Sequence, residues 1–129
     1  MPIRRESRSA NIVRVAPSKA EVTRLSALKN LDKDIDIIGK VVSVDPVRYF
    51  TDLSGRHVSV SSCTLSEGST NIRMSMWRSS SLYAAEMHPG DYVKAEFVSV
   101  KASESGLEIS AGDYSRIFIG SSLRPQVRE

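Results

Sequence analysis

The sequence predicts an all-β fold with short helices: a barrel of five strands, one helix between the third and fourth, and a helical extension before the first. Three observations predict it. Runs rich in Ile and Val alternate apolar with polar residues at the period of a strand, and short Gly, Ser and Asp clusters separate them. One stretch late in the chain switches to a helical period. At 129 residues, 40% hydrophobic and 26% charged, the chain has material for one core and no more.

The first sixteen residues are polar, basic and aperiodic, and are read as an arm. Ser18 with Glu21 then offers a capping box, and Val22, Leu25 and Leu28 give a short helix one apolar face. Residues 1–29 are therefore assigned to a basic arm and short helix, 30–119 to the barrel and 120–129 to a tail. Strand one is expected over 35–44, with Gly39 as a bulge or bend that lets it turn across two sheet faces. Asp45-Pro46 breaks it, and 47–51 resumes as an irregular edge before the turn Asp52-Leu53-Ser54-Gly55. Strand two covers 56–65 and strand three 71–77. Three serines, Ser79 to Ser81, precede a helix over 82–87 that His88-Pro89-Gly90 ends. Strand four covers 92–101 and strand five 107–111, and Tyr114, Ile117, Phe118 and Ile119 continue the apolar pattern. Three strands, a helix and two strands is the order of the OB-fold, a five-stranded barrel.

Composition excludes several functions. The one cysteine, Cys63, cannot form an intrachain disulfide, and with His57 and His88 it cannot build a Cys/His zinc cluster. Cys63 is read as a small buried strand residue. No apolar run approaches the roughly 18 to 20 residues of a membrane span, so no membrane role is expected. The N-terminal residues lack a secretory signal's apolar stretch, so an intracellular protein is expected, in cytoplasm, nucleoid or nucleus. Neither a Gly-rich phosphate loop nor a nucleophile with a matching base is evident, so the protein is not expected to be an enzyme or to need a cofactor.

Net charge of +3 does not by itself identify a nucleic-acid binder. Residues 1–24 hold six basic groups (Arg4, Arg5, Arg8, Arg14, Lys19, Arg24) against Glu6 and Glu21, so the remaining 105 residues sum to −1. Side-chain direction is more telling. In strand three, Ile72, Met74 and Met76 point one way, and Asn71, Arg73, Ser75 and Trp77 point the other. Trp77 thus opposes the core set, and Arg73 beside it is placed to pair with a phosphate or stack on a base.

These segments resemble a family. Ile35-Asp36-Ile37-Ile38-Gly39-Lys40-Val41-Val42-Ser43-Val44 is similar to the opening strand of single-stranded DNA-binding OB domains of the replication protein A and archaeal SSB type. Ile72-Arg73-Met74-Ser75-Met76-Trp77 resembles their third strand, Pro89-Gly90-Asp91-Tyr92-Val93 their helix-to-strand junction, and Ser105-Gly106-Leu107-Glu108-Ile109-Ser110 their last hairpin. The resemblance implies a groove across strands two and three, flanked by the loops joining strands one to two and four to five. It makes Trp77 a stacking residue. Arg48, Tyr49 and Phe50 would lie in the first loop, Arg56 at the start of strand two and Lys101 at the entrance of the second loop. Tyr49 and Phe50 are adjacent and face opposite ways, which leaves open which one meets a ligand. Two positions depart from the family: the second loop has no aromatic residue, and Arg78 follows Trp77 where glycine is common.

The function expected is sequence-tolerant, noncatalytic binding of single-stranded DNA in replication or repair. Trp77, Arg73, Tyr49, Phe50, Arg48, Arg56, Ser75 and Lys101 are the candidate contacts. The alternatives are a structural OB subunit that mediates protein–protein assembly in a replication protein A-like complex, and an RNA-binding OB module; the partners expected are single-stranded DNA or RNA, and further copies of the chain or other OB subunits.

Overall fold

Six strands form in the computed structural model, which describes residues 22–120: β1 (Ile35–Thr51), β2 (His57–Glu67), β3 (Thr70–Trp77), β4 (Tyr92–Ser103), β5 (Gly106–Ala111) and β6 (Arg116–Gly120). The basic arm, the Ser18 cap and most of the tail lie outside the described residues. β1 pairs with β2, β2 with β3, β3 with β5, β5 with β4, and β4 returns to β1, so five strands form a ring. A 3-10 helix, Arg78–Glu86, connects β3 to β4 and packs across β1, β2, β3 and β6.

β1 belongs to both sides of that ring. Its first part pairs with β4 (Gly39 with Val93), its later part with β2 (Val41 with Leu65), and Lys40 pairs with both Tyr92 and Ser66. Gly39 sits at this change of partner. A Cβ there would lie 2.9 Å from Leu65 Cβ and 3.3 Å from Leu25 Cδ1, so the absent side chain is what lets β2 approach. The bend expected at Gly39 is found as this switch. The extra residue of the bulge is Val42, between the Val41–Leu65 and Ser43–Thr64 pairs.

Alternation builds the interior. Ile37, Leu65, Met74, Met76, Val93 and Ile109 are fully buried, and each such side chain contributes about 1.5–3 kcal/mol relative to an exposed one. Ala84 and Met87 of the helix segment join the same cluster. Cys63 is buried as expected, and burial pushes its thiol up to about 12, so the sulfur is protonated at neutral pH.

Four expectations are corrected. Asp45-Pro46 does not end the first strand: Asp45 pairs with Ser62 and Arg48 with Val60, so a second bulge absorbs the proline, whose missing N–H needs no ladder partner there. The helix after β3 starts at Arg78, and Ser79, Ser80 and Ser81 lie within it. Their hydroxyls are internal fastenings. Ser80 Oγ donates to the Gly112 carbonyl and Ser81 Oγ to the Arg78 carbonyl, each at 2.7 Å. The expected N-terminal helix is, within the described residues, a single 3-10 turn, Leu25–Ala27, held by Leu25 N–H donating to Glu67 Oε1 at 2.7 Å.

The fourth correction is β6. Ser99 of β4 pairs with Ser110, yet Glu96, three residues earlier on β4, pairs with Arg116, six residues later on the other segment. β6 is therefore the continuation of β5 along the same edge of β4, after three residues loop out. Glu96 fixes it there: Arg116 reaches its carboxylate at 2.6 Å and Lys94 at 3.2 Å, all on a fully buried acid.

Gly39→Ala should destabilise the fold by about 1–3 kcal/mol, the cost of overpacking a filled site. Urea unfolding measures this, and an unchanged midpoint would show that β2 yields freely at Leu65.

Candidate nucleic-acid interface

The outer face of the barrel follows from cross-strand register. Residues directly opposite share a face, so Trp77 of β3 stands over Val60 of β2 and beside Arg48 of β1, while Phe50 lies one step along β1 opposite Val58. The Phe50 and Trp77 rings meet edge to face, with centroids 6.3 Å apart and planes at 78°. Both are solvent-accessible, Phe50 at 42%. Tyr49 pairs with Ser59, which places it on the opposite face, exposed beyond the barrel. Register thus separates the two aromatics that adjacency alone leaves equivalent.

Arg48, Tyr49 and Phe50 are part of the extended β1–β2 hairpin rather than of a loop. Asp52 fastens the hairpin tip. Its Oδ1 accepts from Ser54 N–H at 2.9 Å, Ser54 Oγ at 2.7 Å and Arg56 N–H at 3.0 Å, and Gly55 supplies the left-handed φ of 86°. The Ser54 hydroxyl and then the Arg56 amide hold the Asp52 carboxyl below its ordinary range. Arg56 pairs with this same carboxylate at 3.4 Å and so belongs to the tip.

Further down the face the polar residues are tied to one another. Arg73 reaches Asp45 Oδ2 at 3.1 Å, and Ser62 Oγ donates to that oxygen at 2.9 Å. Ser75 Oγ donates to Glu108. Asp45 and Glu108 were not among the sequence candidates, since only pairing across β1, β2, β3 and β5 brings them here. Lys101 pairs with Glu108 across β4 and β5 and is exposed. Among the described residues, Arg48 and Lys101 form no ion pair.

Arg78 takes φ +52°, the left-handed backbone that glycine adopts most readily, so the bend after Trp77 is made by a residue with a Cβ. Its side chain contributes a tether. Arg78 Nε donates to Asp113 Oδ2 at 3.1 Å, while Ser79 N–H and Oγ donate to Oδ1 at 3.2 and 2.8 Å. Asp113 thereby caps the first turn of the 3-10 helix from the looped-out residues before β6. Hydrogen bonds from Ser79, then the Arg78 contact, lower its carboxyl from the ordinary value.

Among the described residues, no group of three or more His, Cys, Asp or Glu could hold a metal ion, and no helix is long and apolar enough to cross a membrane.

Ring topology, bridging helix and aromatic outer face define an OB domain. Its likeness is to the OB domains of archaeal replication protein A. The second OB-fold domain of replication protein A from Methanococcus maripaludis is 24% identical, with a TM-score of 0.63 over 82% of this chain and 100% of that one. The replication factor A related protein from Methanobacterium thermoautotrophicum is 16% identical, with a TM-score of 0.66 over 85% of this chain and 100% of that one. Pot1pC of Schizosaccharomyces pombe, solved bound to single-stranded DNA, is 16% identical, with a TM-score of 0.56 over 82% of this chain and 91% of that one. No protein-family model and no curated protein matches the sequence.

Asp113→Asn should lower the melting temperature. Because the folded-state carboxyl is depressed, its contribution is full above the unfolded pKa and is lost as pH falls through the folded value. The melting curves of wild type and variant should therefore differ at neutral pH and converge below about pH 4. A difference that persists unchanged in acid would assign the effect to packing instead.

Proposed function

We propose that this chain binds single-stranded DNA, without strong sequence preference and without catalysis, across the outer face of β2 and β3. The observation that carries the proposal is the edge-to-face pair of exposed Phe50 and half-buried Trp77 on a face whose opposite side is the core. A base stacked on such a pair gains about 1–3 kcal/mol whatever its identity. The fold shared with a Pot1 domain solved on single-stranded DNA supports the same reading. Arg48 beside Trp77, and Lys101 across Glu108 from Arg73, are free of ion pairs among the described residues and serve as phosphate contacts. Arg73 reaches a phosphate by exchanging Asp45 for it, and Ser75 is a hydrogen-bonding contact beside it. Tyr49 and Arg56 serve from the hairpin, which can fold over the strand.

Replication or repair is the setting this chemistry fits. A single barrel covers few nucleotides, so tight coating of a strand calls for self-association or partner OB subunits. A second reading, a structural subunit, is favoured by one feature: β6 ends the sheet, and its outer edge has no strand partner among the described residues. Such an edge can accept a strand from another chain.

Trp77 is the one tryptophan, so its emission reports on the face directly. Oligo-dT should quench it, and Trp77→Ala should weaken binding by about 5- to 150-fold, the equivalent of one lost stack. With Arg48 and Lys101 as phosphate contacts, log affinity should fall against log salt with a slope of about −1 to −2, near −0.7 per phosphate. Unchanged emission with no affinity at low salt would reject DNA binding and leave the structural-subunit reading.

A further inference from the structure

The face with Phe50 and Trp77 continues past β3. The β3–β5 pairing ends at Met76–Ala111, and just beyond it a Cβ at Gly112 would come within 3.9 Å of the guanidinium of Arg78, the residue after Trp77. The next residues loop out and return at Ser115, whose Oγ donates to the Phe97 carbonyl at 2.8 Å. A cavity of about 300 Å³ opens at this point, lined by Asp34, Arg78, Phe97, Ser110, Asp113 and Tyr114 among others. Ser110 pairs with Ser75, so the cavity opens on the side of the barrel that carries Trp77.

Two exposed aromatics border it, Phe97 at 51% and Tyr114 at 92%. The backbone of Phe97 is left-handed, with φ +59°, as are two other lining residues, Asp34 at +55° and Arg78 at +52°. A bulky side chain is seldom found in that conformation, and here it is turned to solvent instead of the core. Arg116 lies 6.0 Å from the Phe97 ring and 5.9 Å from the Phe118 ring, bracing Phe97 from β6. Phosphate is a poor occupant, because the carboxylates of Asp34 and Asp113 are in the lining. A flat, neutral ring suits it.

We propose that Phe97 and Tyr114 form a second base-stacking platform, which extends the path of a single strand from the β1–β2 hairpin across Trp77 to the bulge of β4, the extra residue between its Ala95–Ile37 and Val98–Ile35 pairs. The proposal rests on the DNA-binding reading above. It also assigns the second platform to the β4 bulge, since the β4–β5 turn, Glu104-Ser105, has no aromatic residue to offer.

The test uses the full chain and a fluorescently labelled oligo-dT of about 8 nucleotides, a length within the range one OB fold occupies. Phe97→Leu and Tyr114→Leu should each weaken binding by at least about fivefold while the quenching of Trp77 at saturation keeps its wild-type amplitude. Tyr114 is so exposed that its variant should keep the wild-type melting temperature, which guards against a misfolded Phe97→Leu. Wild-type affinity in both variants would overturn the second platform and leave the DNA-binding reading intact. Failure of the wild-type chain itself to bind would overturn both.

Discussion

Closure of the barrel at Gly39 is the constraint on which the rest depends. β1 must leave β4 and join β2 within one residue, and Lys40 is bonded to both neighbours because the preceding residue has no side chain to hold them apart. Were the sheet open, β2 and β3 would present two solvated faces and nothing would decide which residues of β3 point outward. Closed, the ring assigns Ile72, Met74 and Met76 to the core and leaves Arg73, Ser75 and Trp77 outside. The long β1–β2 hairpin then carries Phe50 to Trp77 by register alone.

A second theme is where the chain tolerates unfavourable backbone. Left-handed φ in a residue other than glycine costs roughly 1–2 kcal/mol. Arg78, Phe97 and Asp34 all adopt it around one cavity. Local bonds hold the arrangement in place: Asp113 receives Arg78 and Ser79, Ser115 receives Gly112 N–H at 3.0 Å, and Phe97 N–H donates to Asp36 Oδ1 at 3.2 Å. The two bulged stretches, one in β4 and one between β5 and β6, lean on each other. Neither is an independent loop.

How much of this could be read from the sequence depended on how local the cause was. Period-two alternation in residues 71–77 is a local signal with a single physical origin, one buried face, and it placed Trp77 on the outer side of β3 without any tertiary knowledge. Pro46 misled because a proline rule describes a regular ladder, and the ladder is irregular there. β6 was hidden for a similar reason: strand five reads as ending at Ala111 with only an apolar pattern continuing through Tyr114 and Ile117 to Ile119, whereas the strand resumes three residues out of step on the same neighbour. The choice between Tyr49 and Phe50 needed the β1–β2 register, which two bulges shift. Asp45, Glu108 and Asp113 are invisible as partners in the sequence, being separated from Arg73, Ser75 and Arg78 by 28 to 35 residues.

The sulfur of Cys63 sits on β2, between Val44 of β1 and Met74 of β3, sealed from water and protonated. A thiol in that position behaves as a clock. A disulfide reagent can meet it only when the β1–β2–β3 wall parts, so the labelling rate under native conditions counts openings of the barrel rather than motions of its rim. Because the chain holds no other cysteine, that count belongs to one site and one event.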